Sequence, residues 1–199
     1  MNLAVFGATG ATGRPLVAQA LERGHSVTAF ARSTPTDDSL AGVDRVVTGD
    51  ARNPAAVDAA LRGAEAVVSA MGPKGPDPST VYSDAIGTLA RAMAVTGLRR
   101  LVISANSRVL DDAPLEGPYA AVSQEHRDAL ATLRACALDW TVVATPMLSD
   151  DGPRASYRAI VGARGSGPAI VRADFATALL DALDHDDWIG HVVDVSNDA

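Results

Sequence analysis

The 199-residue sequence predicts an α/β protein: one doubly wound parallel sheet in three αβα layers, forming a single domain over residues 1–199. Three observations point there. Short apolar runs alternate with amphipathic stretches along most of the chain, the pattern of a parallel sheet with helices on both faces. The length suits one domain rather than two. No stretch reads as a linker, an internal repeat or a low-complexity tract.

The elements follow in order. Leu3 to Phe6 is a short apolar run and reads as a buried strand. Pro15 to Arg23 reads as a helix with Leu16, Val17, Ala20 and Leu21 on one face. Ser26 to Ala31 and Arg45 to Val47 are the next strands. Pro54 opens a helix that runs to Arg62; proline suits the first turn, where its missing N–H is not needed. Glu65 to Ala70 is the fourth strand. Ser79 to Thr96 is a long helix closed by Gly97. Leu101 to Ile103 is a strand, Ser123 to Ala137 a helix and Trp140 to Val143 a strand. Ala155 to Val161 and Ala169 to Val171 are expected to pair as a hairpin across the turn at 162–167. Arg172 to Leu183 is a helix, and Val192 to Val195 the last strand. Three irregular stretches, 71–78, 105–118 and 145–154, each follow a strand. Ligands of open α/β sheets sit beyond the carboxyl ends of the strands, so these loops are expected to build a substrate pocket.

Composition narrows the partners. A net charge of −7 argues against a nucleic-acid-binding surface. No apolar run approaches the ~20 residues of a membrane helix, so no membrane partner is expected. Cys136 is the only cysteine, which rules out an intrachain disulfide. No charged-then-apolar leader is read, and the expectation is a cytoplasmic protein, monomeric or a small homo-oligomer. The four histidines, His25, His126, His185 and His191, show no ligand spacing with one another or with Cys136, so no metal site is expected.

The chemistry-bearing motif is Gly7-Ala8-Thr9-Gly10-Ala11-Thr12-Gly13. Gly7 ends the first strand and Gly13 opens the first helix. Glycines at this spacing permit a tight turn, close approach to a pyrophosphate and close helix–strand contact. The helix N-terminus adds free N–H groups and a positive dipole end. Thr9 and Thr12 add hydroxyl donors. In this strand–turn–helix context the motif predicts a dinucleotide-binding Rossmann fold.

The segment Ala31-Arg32-Ser33-Thr34 follows the second strand. An NAD site commonly has a carboxylate there for the ribose 2′-OH. Arg32 would instead pair with a 2′-phosphate, with Ser33 or Thr34 as a further donor, so the expected cofactor is NADP(H); the alternative for Arg32 is an exposed surface arginine at a strand end. Asp37 and Asp38 read as loop residues. Asp50, with Ala51 beside it, follows the third strand and is expected to accept from the adenine amino group. The alternative for Asp50 is a turn or cap before the Pro54 helix. Ala70, Met71 and Gly72 end the fourth strand, where backbone would pass under the cofactor ribose. Pro146, after the Trp140 strand, completes the expected cofactor contacts.

Gly7 to Gly13, Phe30-Ala31-Arg32, Gly49-Asp50-Ala51, Ala70-Met71-Gly72 and Leu138-Asp139-Trp140-Thr141-Val142-Val143 together carry a resemblance. The chain resembles the atypical short-chain dehydrogenase/reductases of the NAD(P)H-binding, NmrA-like type, and among them the biliverdin-IXβ reductase/flavin reductase group. The likeness extends through Gln124-Glu125-His126 and the closing segment Arg172 to Val195. It implies NADPH as hydride donor. The pocket of that group has a Ser after the fifth strand and a His after the sixth; Asn106 and Met147 stand there in this chain. His126 matches a second pocket histidine of the group.

Ordinary short-chain dehydrogenases use Tyr-x-x-x-Lys. Here Tyr82, Tyr119 and Tyr157 are followed four residues on by Ile86, Ser123 and Val161, and Lys74, the only lysine, is preceded by Ala70. The dyad is absent. Asn106 and His126 are the candidate catalytic residues, His126 through a pKa near 6.5 if unperturbed. The alternative for His126 is a solvated helix histidine. Pro73, Asn106, Ser107, Tyr119 and Met147 are expected to line the substrate pocket. The expected function is an NADPH-dependent reductase passing hydride to a flavin, quinone or similar conjugated small molecule. The alternative is a non-catalytic NADP(H) sensor of the NmrA-like kind.

Overall fold

The computed structural model describes residues 1–73, 75 and 77–197. The chain runs β1 (Asn2–Phe6), α1 (Gly13–Glu22), β2 (Ser26–Ala31), β3 (Arg45–Thr48), α2 (Pro54–Leu61), β4 (Ala66–Ser69), α3 (Val81–Thr96) and β5 (Arg100–Asn106). It continues through α4 (Ala120–Arg134), β6 (Asp139–Thr145), β7 (Leu148–Ser149), β8 (Arg158–Val161), β9 (Ile170–Val171), α5 (Arg172–Asp181) and β10 (His191–Ser196). Short 3-10 turns sit at Asp38–Leu40, Ser107–Leu110 and Asp186–Trp188.

The main sheet has the order β3-β2-β1-β4-β5-β6-β10-β8. Every pairing from β3 to β10 is parallel. Strand order reverses between β1 and β4, the switch point at which doubly wound sheets bind ligands. The arrangement is the Rossmann-type α/β fold expected from the sequence.

Apolar runs explain the layers. Leu3 to Phe6 and all of β4 are buried on both faces, as parallel strands between helices must be. On one face Leu16, Val17 and Ala20 of α1 meet Phe175 and Leu179 of α5 over Leu3 and Val5. Gln19 ties the two helices, donating to the Ala173 carbonyl at 2.8 Å and accepting from Thr177 at 2.9 Å. On the other face Ile86, Leu89 and Met93 of α3 and Leu133 of α4 cover Phe6, Leu101 and Ile103, beside α2. Phe6 and Phe30 stack at 4.6 Å between centroids.

Several boundaries differ from the sequence expectation. The long helix begins at Val81, because the Ser79 hydroxyl accepts from the Val81 N–H and forms a turn ahead of it. It ends as expected at Gly97, whose φ of 75° is left-handed. Helix α4 starts at Ala120 rather than Ser123; the Ser123 hydroxyl bonds back to the Tyr119 carbonyl from inside the helix.

The expected hairpin does not form. Strand β8 pairs antiparallel with β10, and β9 pairs parallel with the short β7. The turn is drawn to β10 instead: Gly162 N–H donates to the Val192 carbonyl at 2.8 Å and Gly165 N–H to Asp194 at 2.6 Å. Strand β8 thereby covers the edge that β10 would otherwise leave unpaired.

Candidate functional site

The carboxyl ends of β1 to β6 form one rim. Gly7 leaves β1, Arg32 leaves β2, Asp50 follows β3 by two residues, Ala70 and Met71 leave β4, Ser107 leaves β5 and Pro146 leaves β6. Parallel register keeps these points level: Phe6 faces Phe30 and Ser69, and Asn106 faces Thr145.

The three loop glycines have different reasons to be glycine. Gly7 has φ +76°, and a Cβ there would lie 2.8 Å from the Met71 nitrogen. Gly13 is tighter still; its Cβ would lie 2.0 Å from the Gly7 carbonyl oxygen. These two let the loop fold onto the end of β4 and let α1 start directly beside it. Gly10 is exposed, with only the Gly7 carbonyl near at 3.2 Å. It leaves bare backbone facing out, over a helix whose first turn has no acidic residue. A side-chain-free loop above a helix N-terminus fits a pyrophosphate. The loop also holds Thr9, half-buried, exposed Ala11, and Thr12, whose side chain caps nothing in α1.

The β2–β3 side of the rim is rich in charge. Arg32 and Ser33 are exposed, and Arg32 makes no hydrogen bond or salt bridge among the described residues. Asp50 accepts from the Arg52 backbone N–H at 2.8 Å and its guanidinium at 2.6 Å. That side-chain bond, then the backbone bond, holds the Asp50 carboxyl down at about 2. Asp50 is therefore an ionised acceptor with a fixed orientation and lone pairs to spare. The Ala51 methyl is buried in the core, which leaves only its backbone for a ligand. Arg14, which the sequence reading passed over, donates from Nε to the Thr9 carbonyl at 3.2 Å and lies 3.2 Å from Asp37. Its position directly after Gly13 was the available signal.

The other half of the rim is set by side-chain hydrogen bonds. Ser104 donates to the Met71 carbonyl at 2.7 Å and pins the end of β4. Asn106 Nδ2 donates to Ser123 at 3.0 Å, and its Oδ1 is buried with no partner among the described residues. Tyr119 and Met147 are exposed, and Pro73 and Pro146 are half-buried along this edge. Gly72 is exposed, with open space around its Cα. Lys74 and Pro76, within the expected loop 71–78, lie outside the described residues. The end of the 145–154 loop is clamped by buried Asp174, which accepts from the N–H groups of Arg154 and Ala155.

Two expectations change here. Ser107 does not line a pocket. It is fully buried and donates to Asp194, which also holds Gly165. It therefore ties the 105–118 loop to β10. His126 is not a solvated helix histidine. It is 7 % exposed, edge-on to Tyr82 at 4.9 Å, and its Nδ1 has no partner among the described residues. Burial pushes its pKa down to about 4, so the ring is neutral at pH 7 and suited to packing rather than proton donation.

Two of the three tyrosines are similarly committed. Tyr82 is buried, donates to the Ser104 carbonyl and has its pKa driven up by desolvation, then by Glu125. Glu125 in turn accepts from the N–H groups of Tyr82 and Ser83, capping α3 from α4. Tyr157 donates to Asp181, with its pKa raised by burial and by that bond. No cluster of three or more metal-ligand side chains occurs among the described residues. No described helix is long and apolar enough to cross a membrane.

Residues 7–186 match the NAD(P)H-binding family. A Streptococcus pneumoniae protein described as a candidate NADH-flavin reductase superposes over 100% of both chains with a TM-score of 0.85 at 24% identity. A candidate exported protein from Burkholderia pseudomallei does so over 98% of this chain and 99% of its own, with a TM-score of 0.83 and 26% identity. A wide-type short-chain dehydrogenase/reductase from Veillonella parvula, solved in complex with NADP, shares the fold over 98% of this chain and 94% of its own, with a TM-score of 0.79 and 18% identity. An uncharacterized protein of Mycobacterium tuberculosis is 31% identical over 143 residues, which cover 72% of this chain and 14% of that protein. The chain thus matches only a small part of the length of such curated relatives.

Proposed function

Since the chain belongs to the NAD(P)H-binding family, we propose that it is an NADPH-dependent reductase that passes hydride to a flavin, a quinone or a similar conjugated small molecule. One observation carries this reading. A backbone cradle fitted to a dinucleotide adjoins a rim where no tyrosine is followed by a lysine four residues on, and where the one histidine is buried and neutral. A saturated carbonyl needs a proton donor as hydride arrives. A conjugated acceptor spreads the added charge over its own ring atoms and takes its proton from water afterward.

When bound, reduced nicotinamide supplies the hydride. The chain's own residues do the rest. The glycine loop and α1 take the pyrophosphate, and Asp50 accepts from adenine. Arg32 takes the 2′-phosphate, which is the reason for preferring NADPH over NADH. Ser104 holds the Met71 carbonyl in place, and Asn106, tied to Ser123, and the exposed apolar side chain of Met147 flank the place of a flat acceptor. Positioning of this kind is what a binding site contributes when it does not move protons itself.

The test is NADPH oxidation with a panel of flavins, quinones and aliphatic ketones. Turnover with the conjugated acceptors and none with the ketones supports the reading. Tight NADPH binding with no turnover on any acceptor would replace it with an NADP(H) sensor.

A further inference from the structure

We propose that Arg14, paired with Asp37 in this structure, is a second ligand for the 2′-phosphate of NADP(H) and that Asp37 tunes its availability; this rests on the NADPH reading above. The placement comes from two contacts. Arg14 Nε donates to the carbonyl of Thr9, inside the glycine loop. Its Nη2 lies 3.2 Å from Asp37, in the segment that begins at Arg32 and ends in the turn Asp38–Leu40. The guanidinium therefore spans the loop that takes the pyrophosphate and the segment that takes the ribose. The adenosine ribose is joined directly to the pyrophosphate, so a guanidinium that reaches from the one segment to the other borders its 2′ position.

The pair is built to open. Both side chains are 52 % exposed, and surface ion pairs of this kind hold weakly. A phosphate carries more charge than a carboxylate and offers three oxygens to a guanidinium. Arg14 can exchange Asp37 for phosphate without losing its anchor on Thr9. Asp37 cannot follow. Its carboxylate accepts from the Ser39 N–H at 3.1 Å, which fixes it at the head of the 3-10 turn and keeps it ionised. Once Arg14 turns away, Asp37 is a fixed negative charge near a second one. Arg14 and Asp37 then act in opposite senses on the same group, and neither bears on a cofactor that lacks it.

Calorimetry on the full chain decides this, using NADP⁺, NAD⁺, 2′,5′-ADP and 5′-AMP as ligands. Arg14→Gln is expected to weaken NADP⁺ and 2′,5′-ADP by about tenfold or more, the usual worth of a charged hydrogen bond. NAD⁺ and 5′-AMP should change by less than about twofold, since they leave the ion pair closed. Asp37→Asn should tighten NADP⁺ and leave NAD⁺ unchanged. The double variant should recover part of the Arg14→Gln loss. Equal weakening of NADP⁺ and NAD⁺ in Arg14→Gln overturns the proposal, because it makes Arg14 a support of the glycine loop. A wild-type preference for NADP⁺ that falls in Arg32→Ala but not in Arg14→Gln overturns it while leaving the NADPH reading intact. A wild type with no preference between the two cofactors overturns both.

Discussion

Between β1 and β4 the cleft is made of backbone. A Cβ on Gly13 would sit 2.0 Å from the Gly7 carbonyl, and one on Gly7 would meet the chain at Ala70 and Met71. Between β5 and β6 it is made of side-chain bonds: Asn106 to Ser123, Ser107 to Asp194, and Asp174 to the Arg154 and Ala155 N–H groups. The first half is specified within seven consecutive residues. The second joins positions 17 to 87 residues apart. A backbone-built site can stay the same while surrounding side chains change, whereas a side-chain-built site changes with them. This division fits the proposed function, in which the glycine motif sets the cofactor half and long-range side-chain bonds set the acceptor half.

The sharpest way to break the contrast is at the glycines. Gly13→Ala should cost more than about 3 kcal/mol, because a carbonyl cannot yield the space a flexible side chain could. Gly10→Val should cost much less than Gly13→Ala, since its Cβ meets the Gly7 carbonyl at 3.2 Å rather than 2.0 Å, and should abolish cofactor binding by filling the exposed part of the loop. Urea unfolding and cofactor calorimetry read the two effects separately. If Gly10→Val binds NADPH normally, the loop is not the cradle.

Much of this was legible in advance for a physical reason. Backbone constraints act locally, so the glycine spacing, the Pro54 start of α2 and the Gly97 end of α3 can be read from neighbouring residues. The same holds for the run of buried strands. The pairing of β8 with β10 was not legible, because the 162–167 turn is held by Asp194, a residue about thirty positions away. Burial of His126 depends on Tyr82 of α3, and the inward turn of Ser107 depends on Asp194. A sequence shows that such groups exist but not which partner they find. Arg14 differs, because its place next to Gly13 was visible and its partner Asp37 was not.

His126 tests the acceptor half through stability. The unfolded chain protonates this ring near pH 6.5, and the folded chain only near 4. Falling pH therefore favours the unfolded state. The loss begins near pH 6.5, is complete below about 4 and totals roughly 3 kcal/mol. His126→Leu should remove that part of the acid sensitivity, so that near pH 4.5 the variant is more stable than wild type. Urea midpoints at neutral and acid pH measure it. Parallel loss in both proteins would mean the ring is more hydrated than its burial indicates.

Arg32 tests the cofactor half with a smaller effect. Arg32→Ala should lose roughly 1.5–3 kcal/mol of NADP(H) affinity, the range for a charged hydrogen bond, with little change for NAD(H). Calorimetry on both cofactors checks it. Equal losses would show that Arg32 serves the pyrophosphate or the fold rather than the 2′-phosphate.

The smallest expected effect is at Tyr119, and it bears on mechanism. Tyr119 is 62 % exposed at the start of α4, and its position-plus-four partner is Ser123. Ser123 donates to the Tyr119 carbonyl and accepts from Asn106, so a neutral hydroxyl already engaged elsewhere stands where the dyad has its lysine. In a dehydrogenase with a lysine at that place, loss of the hydroxyl removes the general acid and costs about 10²–10⁴-fold in turnover. Here Tyr119→Phe should keep turnover within roughly tenfold, because only a positioning contact is lost. The pH profile separates the cases further. With His126 neutral near pH 7 and no Tyr-x-x-x-Lys dyad, flavin or quinone reduction should be flat through neutral pH in wild type and Tyr119→Phe alike. A fall of more than about a hundredfold in Tyr119→Phe would make that phenol the acid and end the positional account. An inflection near neutrality that vanishes in His126→Ala would do the same for His126, and would require the α3–α4 contact to open during turnover.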